Sequence, residues 1–526
     1  MEHTIRLKRK KIDTRVIAAV MTLALVAVVV IFLVVPWLRE TTGPGTLAYW
    51  PTTGWQTSLP EAQGIYSAKF ADLLLSIRER DVRIHSLLVV RNGYMVADAT
   101  FYPYDGQTIH DVASVTKSVM TTLIGIAVDQ GKLDLDDKMV SFFPDRTIAN
   151  LDPRKEAITV RHLVSMTSGL QCIRDGREGD SAIEMQQSPD FVQFALDLPV
   201  AYEPGSQFVY CSTAIHLLSP ILEQATGMTV LEFAQQYLFD PLGIHDVLWE
   251  TDPQGYTRGW GDLSLHPHDM AKLGLLFLQQ GQWAGEQIVS RRWVKEASMA
   301  QSETPAEEDP YGYGWWLTPD IEGVYRADGR NGQYIFVLPD WNMVVVTTGG
   351  GFEMGEIGES LLGTFSGFEE PLPANPDGVA RLDAALATVA QPPVASSNTP
   401  LPDIAQTISG QTYVFETNLI GLESVTFDFD GSAEAIGHVK VAGDPMASMP
   451  IGLDGVYRFR FDDDGRLVAI RGTWIDTQTF VLEHNGVTAN DHLVLQFHFQ
   501  GDQVDVTLSD AYFGTGPKFA GRVQQP

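Results

Sequence analysis

Ser114 and Lys117 stand three residues apart in DVASVTKSVM, at the head of a run, TTLIGIAV, that is apolar nearly all round. Residues at that spacing share one face of a helix, with Cβ atoms about 5–6 Å apart, so hydroxyl and amine can meet. A helix apolar on every side is normally buried, and burying an ammonium group is costly unless something holds it. If Ser114 opens the helix, its own N–H lies outside the helical ladder and can donate to an incoming group. Nucleophile, activating amine and one oxyanion donor then come from a single turn. The chemistry of such a turn is attack of a hydroxyl on a carbonyl. A capping serine followed by a lysine that stretches to water is the plainer alternative at these positions.

The wider segment VASVTKSVMTTLIGIAVDQGKLDLDDKM resembles the nucleophile helix of the serine β-lactamase-related family. That family includes class C β-lactamases, D-Ala-D-Ala carboxypeptidases, related esterases and nylon-oligomer hydrolases. The resemblance continues, in order, through ITVRHLVSMTSGL, PGSQFVYCSTAIHLLSPILEQATG, YLFDPLGI and DLSLHPHDMAKLGLLFLQQGQW, from about Ile84 to about Gly351. It implies an acyl-enzyme mechanism on Ser114, with Lys117 beside it. The family's second motif, Tyr-x-Asn, reads here Tyr210-Cys211-Ser212. A free tyrosine titrates near 10, and a nearby cation such as Lys117 lowers that value, which makes Tyr210 a base for Ser114. A neutral Lys117 as base with Tyr210 as proton shuttle is the open alternative.

The third motif, usually Lys-Thr-Gly or His-x-Gly, is met by GRNGQYIFVL. With Gly332 as the motif glycine, Arg330 takes the place of Lys or His and Gln333 offers its backbone N–H as second oxyanion donor beside that of Ser114. Arg330 would then place a permanent cation beside the cleft, suited to a substrate carboxylate. Ser212 has shorter reach than the asparagine the family uses to hold a substrate amide. With the altered third motif, that places the chain on the esterase and amidase side of the family. Ser212, Arg330 and Gly332 are the expected substrate-binding residues. A receptor or peptidoglycan sensor that acylates without turnover is the rival reading, since an anchor and a penicillin-recognising fold also describe those.

The elements that must position these residues are partly legible. SLLVVRNGYMVADATF reads as a hairpin turned at Asn92-Gly93, the pair a type I′ turn prefers. Helical periodicity follows around AIHLLSPILEQATG, VLEFAQQYLF and HDMAKLGLLFLQQG, and strands return in YIFVLPDWNMVVVTTGG with a turn at Pro339-Asp340. An early hairpin, a helical middle and late strands imply a sheet closed by both ends of the domain. The family resemblance implies an α+β fold of the β-lactamase/transpeptidase type, an antiparallel sheet flanked by helices plus an all-helical region. Residues 391–404 are a Pro/Ser-rich linker. Beyond them, in 405–526, two-residue alternation such as Leu493, Leu495, Phe497 and Phe499 predicts a small all-β barrel or sandwich. A hairpin turn at Asp464-Gly465 accounts for Asp462-Asp463-Asp464-Gly465 better than a calcium loop, whose ligand spacing is absent.

The chain carries a formal charge of −30, unevenly spread. Residues 1–15 hold six Lys/Arg, leaving 30 basic against 64 acidic residues in the rest, a surface that repels nucleic acid. Val16–Leu38 contains no charged residue and is long enough to span a bilayer core of about 30 Å. It is expected to be a retained single-pass anchor, residues 1–15 cytoplasmic and 39–60 a tether to an extracytoplasmic hydrolase domain at 61–390. Cys172 and Cys211 make no disulfide framework, and two unpaired thiols are favoured over a bridge. His110, His162, His216, His266 and His268 are expected in structural roles, because no Gly-x-Ser-x-Gly elbow offers a serine for a histidine triad. No metal or cofactor is implied; the expected partner is a small-molecule or peptide-like ester or amide.

Overall fold

The hairpin forms as its turn chemistry requires. Asn92 and Gly93 both take positive φ, 53° and 84°, and join the strands Ile84–Arg91 and Tyr94–Thr100. In the computed structural model, residues 47 and 49–526 are described apart from 174–179, 307, 368–370, 397–400, 419, 463–464, 511–513, 517 and 526. The basic segment 1–15 and the expected anchor 16–38 lie outside the described residues, among which no helix is long and apolar enough to cross a membrane.

Six antiparallel strands form the first sheet. Their order is Tyr94–Thr100, Ile84–Arg91, Met343–Gly349, Gln333–Leu338, Tyr325–Gly329 and Trp316–Leu317. The strand of this sheet that comes first in the sequence thus pairs with the one that comes last, Leu88 opposite Val346 and Val89 opposite Val345. Every residue of Ile84–Arg91 and of Met343–Gly349 is buried, as strands covered on both faces must be. On one face Phe70, Leu74 and Ile77 of the helix Ser67–Glu79 pack with Leu382, Ala385 and Val389 of Pro376–Val389 over Leu87, Val89 and Ala97. On the other runs Pro267–Leu278, started by a proline in its first turn. At Gly274 this helix comes so close to the sheet that a Cβ would meet Val344 Cγ1 at 2.5 Å. The helix Val115–Asp129, which follows Ser114, is buried from Val115 to Ala127.

Short helices make up the region between Pro153 and Leu242, including Ser212–His216 and Leu218–Thr226. After the helix Pro376–Val389 the chain reaches a second sheet. Nine of its strands close a ring: Thr412–Phe415, Leu422–Phe429, Glu434–Val441, Ala447–Gly452, Leu467–Trp474, Thr479–Gly486, Asp491–Gln500, Gln503–Asp510 and Phe519–Val523. Gly452 beside Arg471 is the closing pair. Of the two expected forms, barrel or sandwich, the protein has the barrel. Its interior is filled by rings, Phe427 against Phe480 and Phe497, and Trp474 against Phe480 and Phe499. Residues 49–526 form one compact unit, and the barrel touches the first sheet's surroundings directly. Tyr457 N–H donates to Tyr102 Oη at 2.8 Å, and Arg466 pairs with Glu250 at 2.8 Å.

Candidate active site

Ser114 caps the buried helix in right-handed backbone geometry, immediately after Ala113 at φ 48°. A non-glycine residue in the left-handed region is strained, and such strain concentrates at working sites. Ala113 N–H is held by Asp111 Oδ1 at 2.7 Å, which fixes the bend that presents Ser114. Lys117 Nζ donates to Ser114 Oγ at 2.8 Å and to the carbonyl of Trp260 at 2.8 Å. Lys117 is 1% exposed, so its ammonium does not reach water along the surface. Its Nζ also lies 4.9 Å from the centre of the Tyr210 ring. The three side chains singled out in the sequence therefore converge.

They do so at a cavity of about 210 Å³ lined by Ser114, Tyr210 and Ser212, by Asp111, Trp260 and Asp262, and by Arg330. Tyr210 stacks on Trp316 with ring centres 5.6 Å apart and stands edge-on to Tyr311. Burial holds the Tyr311 phenol well above its ordinary pKa, so it packs and stays neutral. Trp260 is backed by a buried pair, His216 Nε2 and Asp252 Oδ2 at 3.0 Å, with the imidazole edge-on to the indole at 4.9 Å.

Cys172 and Cys211 are joined in a disulfide, Cα atoms 5.6 Å apart, which corrects the expectation of two free thiols. Both line the cavity. Cys211 also caps the helix Ser212–His216, its sulfur accepting from Ala214 N–H at 3.1 Å. The bridge thus sits in the middle of the Tyr210-Cys211-Ser212 motif, a placement that two cysteines 39 residues apart do not announce.

The third motif is shifted from its expected register. Gly332 packs on the Phe352 ring, and neither it nor Gln333 is among the residues lining the cavity. Gln333 is fully buried, and its amide donates to the carbonyls of Arg330, Asn331 and Gly349 at 3.2, 3.2 and 2.7 Å. It ties the turn together from behind. Gly329, where the strand Tyr325–Gly329 ends, is the glycine that meets the Val112–Ala113 segment before Ser114. A Cβ there would lie 2.5 Å from Val112 O and 3.2 Å from Ala113 Cβ. Arg330 follows at once and lines the cleft.

Asp111 and Asp262 were not singled out by sequence, although Asp111 stands three residues before Ser114. Burial and then the nearby Asp262 push the Asp111 carboxyl up to about 7, against the pull of Ala113 N–H, Arg330 and Arg466. Asp262 itself pairs with Arg258 at 3.0 Å. A carboxyl raised from about 3.9 in the unfolded chain keeps its proton in the native state between about pH 4 and pH 7. The native state then binds more protons than the unfolded one, so this group's contribution to stability falls as pH rises through that window. Asp111→Asn is expected to remove the decline. In thermal melts the variant should gain on the wild type between pH 4.5 and pH 8, and an unchanged difference would contradict the assignment.

Burial pushes His110 down to about 4; its Nδ1 donates to Asp111 O at 2.8 Å, so Nε2 accepts from His85 Nδ1 at 2.9 Å. His162 completes a capping box with Thr159. Among the described residues no group of three or more acidic, histidine or cysteine side chains is placed to hold a metal ion.

Residues 77–353, more than half of the chain, match the family model described as Beta-lactamase. The chain belongs to the beta-lactamase family. It is thereby a serine hydrolase, and the buried Ser114–Lys117 turn falls inside the matched span. A 6-aminohexanoate-dimer hydrolase of Paenarthrobacter ureafaciens is 27% identical over 289 residues, covering 50% of this chain and 71% of that protein. Penicillin-binding protein 4 of Amycolatopsis lactamdurans is 24% identical over 341 residues, 55% of this chain and 85% of that one. Among solved structures, the octameric penicillin-binding protein homologue from Pyrococcus abyssi aligns with 86% of this chain and 99% of its own at a TM-score of 0.47 and 18% identity.

Proposed function

We propose that the protein hydrolyses an ester or amide through an acyl-enzyme on Ser114, the chemistry carried by residues 61–390. The observation that carries this is the Lys117 ammonium, buried behind the cavity and 2.8 Å from the Oγ of Ser114, which lines it. Ser114 Oγ attacks the carbonyl carbon, and its proton passes to the Tyr210 phenolate, which the Lys117 cation beside the ring favours. The oxyanion is held by the N–H of Ser114 and by that of Arg330, which takes the place first given to Gln333 because Gly329 is the glycine against the nucleophile segment. The leaving group departs with the proton, and water attacks the acyl-enzyme by the same route. The guanidinium of Arg330 suits a carboxylate on the substrate, and the name of the Paenarthrobacter relative supports an amide among the bonds attacked.

Residues 16–38 are proposed to anchor this domain outside the cytoplasm, and the Cys172–Cys211 disulfide supports an oxidising compartment. One experiment tests both. A charged fluorophosphonate that does not cross membranes is expected to label Ser114 on intact cells, with labelling and ester hydrolysis lost in Ser114→Ala. Labelling in lysate alone would overturn the topology. An unlabelled Ser114 in both, or a fully active Ser114→Ala, would overturn the nucleophile.

A further inference from the structure

A single turn of the barrel, Val487–Asn490, reaches both walls of the cleft. Thr488 O accepts from Asp111 N–H at 2.8 Å, on the segment that bends into Ser114. Asn490 O accepts from Asn331 Nδ2 at 2.7 Å, and Asn490 Oδ1 accepts from Arg330 Nε at 3.1 Å. Asn490 is fully buried and sits at φ 55°, a backbone region that asparagine tolerates. Arg330 is exposed, on a side chain whose freedom would otherwise spread its charge over many positions. The bond engages Nε and not the Nη pair, the end of the guanidinium that grips a carboxylate with two parallel hydrogen bonds. The arrangement has a cost: Asn490 Nδ2 is buried with no partner among the described residues. With the amide turned the other way a donor would face the arginine's N–H, so the oxygen must point at Arg330 and the Nδ2 is left unsatisfied.

We propose that Asn490 is a positioning residue for Arg330, and that through it the barrel forms part of the wall selecting carboxylate-bearing substrates. The inference rests on the hydrolase reading above and adds to it a role for the barrel. Its test compares two esters in the full-length protein, mono-p-nitrophenyl succinate and p-nitrophenyl butyrate. Asn490→Gly suits the backbone, removes the acceptor together with the unpaired Nδ2, and keeps the carbonyl that accepts from Asn331. It is expected to raise KM for the succinate about tenfold, the lower end for a hydrogen bond to a charged group, with kcat within about twofold and the butyrate unaffected. Arg330→Ala should lose at least as much on the succinate, and the double variant should match Arg330→Ala alone, because Asn490 then has nothing to position. If the glycine variant does not fold, Asn490→Ser, too short to reach Arg330, is expected to give the same pattern. Equal loss on both esters, an unchanged KM, or losses that add to those of Arg330→Ala would overturn the proposal. Absence of any Ser114-dependent turnover by the wild type would instead sink the hydrolase reading, and this role with it.

Discussion

Lys117→Met is expected to lower kcat/KM for a generic ester by about a hundred- to ten-thousandfold while leaving the protein folded. The first half follows from the geometry. The ammonium donates to Ser114 Oγ and lies over the Tyr210 ring, so its loss removes both the orientation of the nucleophile and the charge that favours a phenolate. A positioned proton-transfer group contributes about 10²–10⁴ in rate. The second half follows from burial. Lys117 is 1% exposed, and methionine, of similar length, does not carry the desolvation cost of a buried ammonium. Against this stands the Trp260 carbonyl, which loses a donor at a cost of about 1–3 kcal/mol. The two nearly cancel, and a melt should show little change. A lysine kept for structure would behave in the opposite way: the variant would unfold, or would fold with activity intact. Lys117→Arg is not expected to rescue activity, because a planar guanidinium cannot replace a compact ammonium between Ser114 and Trp260.

What could be foreseen from the sequence divides according to how local its cause is. Asn92-Gly93 specifies its hairpin through two adjacent backbone conformations, and Ser114 and Lys117 meet because helical spacing brings residues three apart together. Pro267 starts a helix by its own ring. In each case a few neighbouring residues are enough. The third motif defeats such reasoning, since GRNG holds two glycines, and the one at the nucleophile is decided by approach to Val112 and Ala113, more than 200 residues earlier. Choosing Gly332 moved the oxyanion donor to Gln333, which is buried behind the turn. Asn490 lies 160 residues from Arg330 and carries no pattern of its own. The disulfide depends on a Cα separation of 5.6 Å that no spacing rule supplies. Asp111 was in plain view beside Ser114, but its raised pKa comes mainly from burial and from Asp262, features of the assembled cleft.

Reduction of Cys172–Cys211 is expected to cost both stability and activity, and activity more. The bridge closes a loop across 39 residues, and constraining a loop of that length in the unfolded chain is worth about 4 kcal/mol in the chain-entropy account, with about 2–4 kcal/mol the usual yield. The melting temperature should therefore fall in reductant. The catalytic consequence is more local. Cys211 joins Tyr210 to Ser212, and its sulfur accepts from Ala214 N–H to start the helix that carries Ser212. Freed from Cys172, this segment keeps its covalent neighbours but loses the tie that holds the phenol over Lys117, and misplacing a catalytic group by about 1 Å can cost a hundredfold. Cys172→Ser/Cys211→Ser is expected to fold, to melt below the oxidised wild type, and to lose at least about tenfold in kcat/KM, beyond what its folded fraction explains. Reductant should bring the wild type toward the double variant and leave that variant unchanged. A wild type whose melt and turnover are both indifferent to reductant would show that the bridge does not hold Tyr210 in place, and the task would pass to its stacking on Trp316.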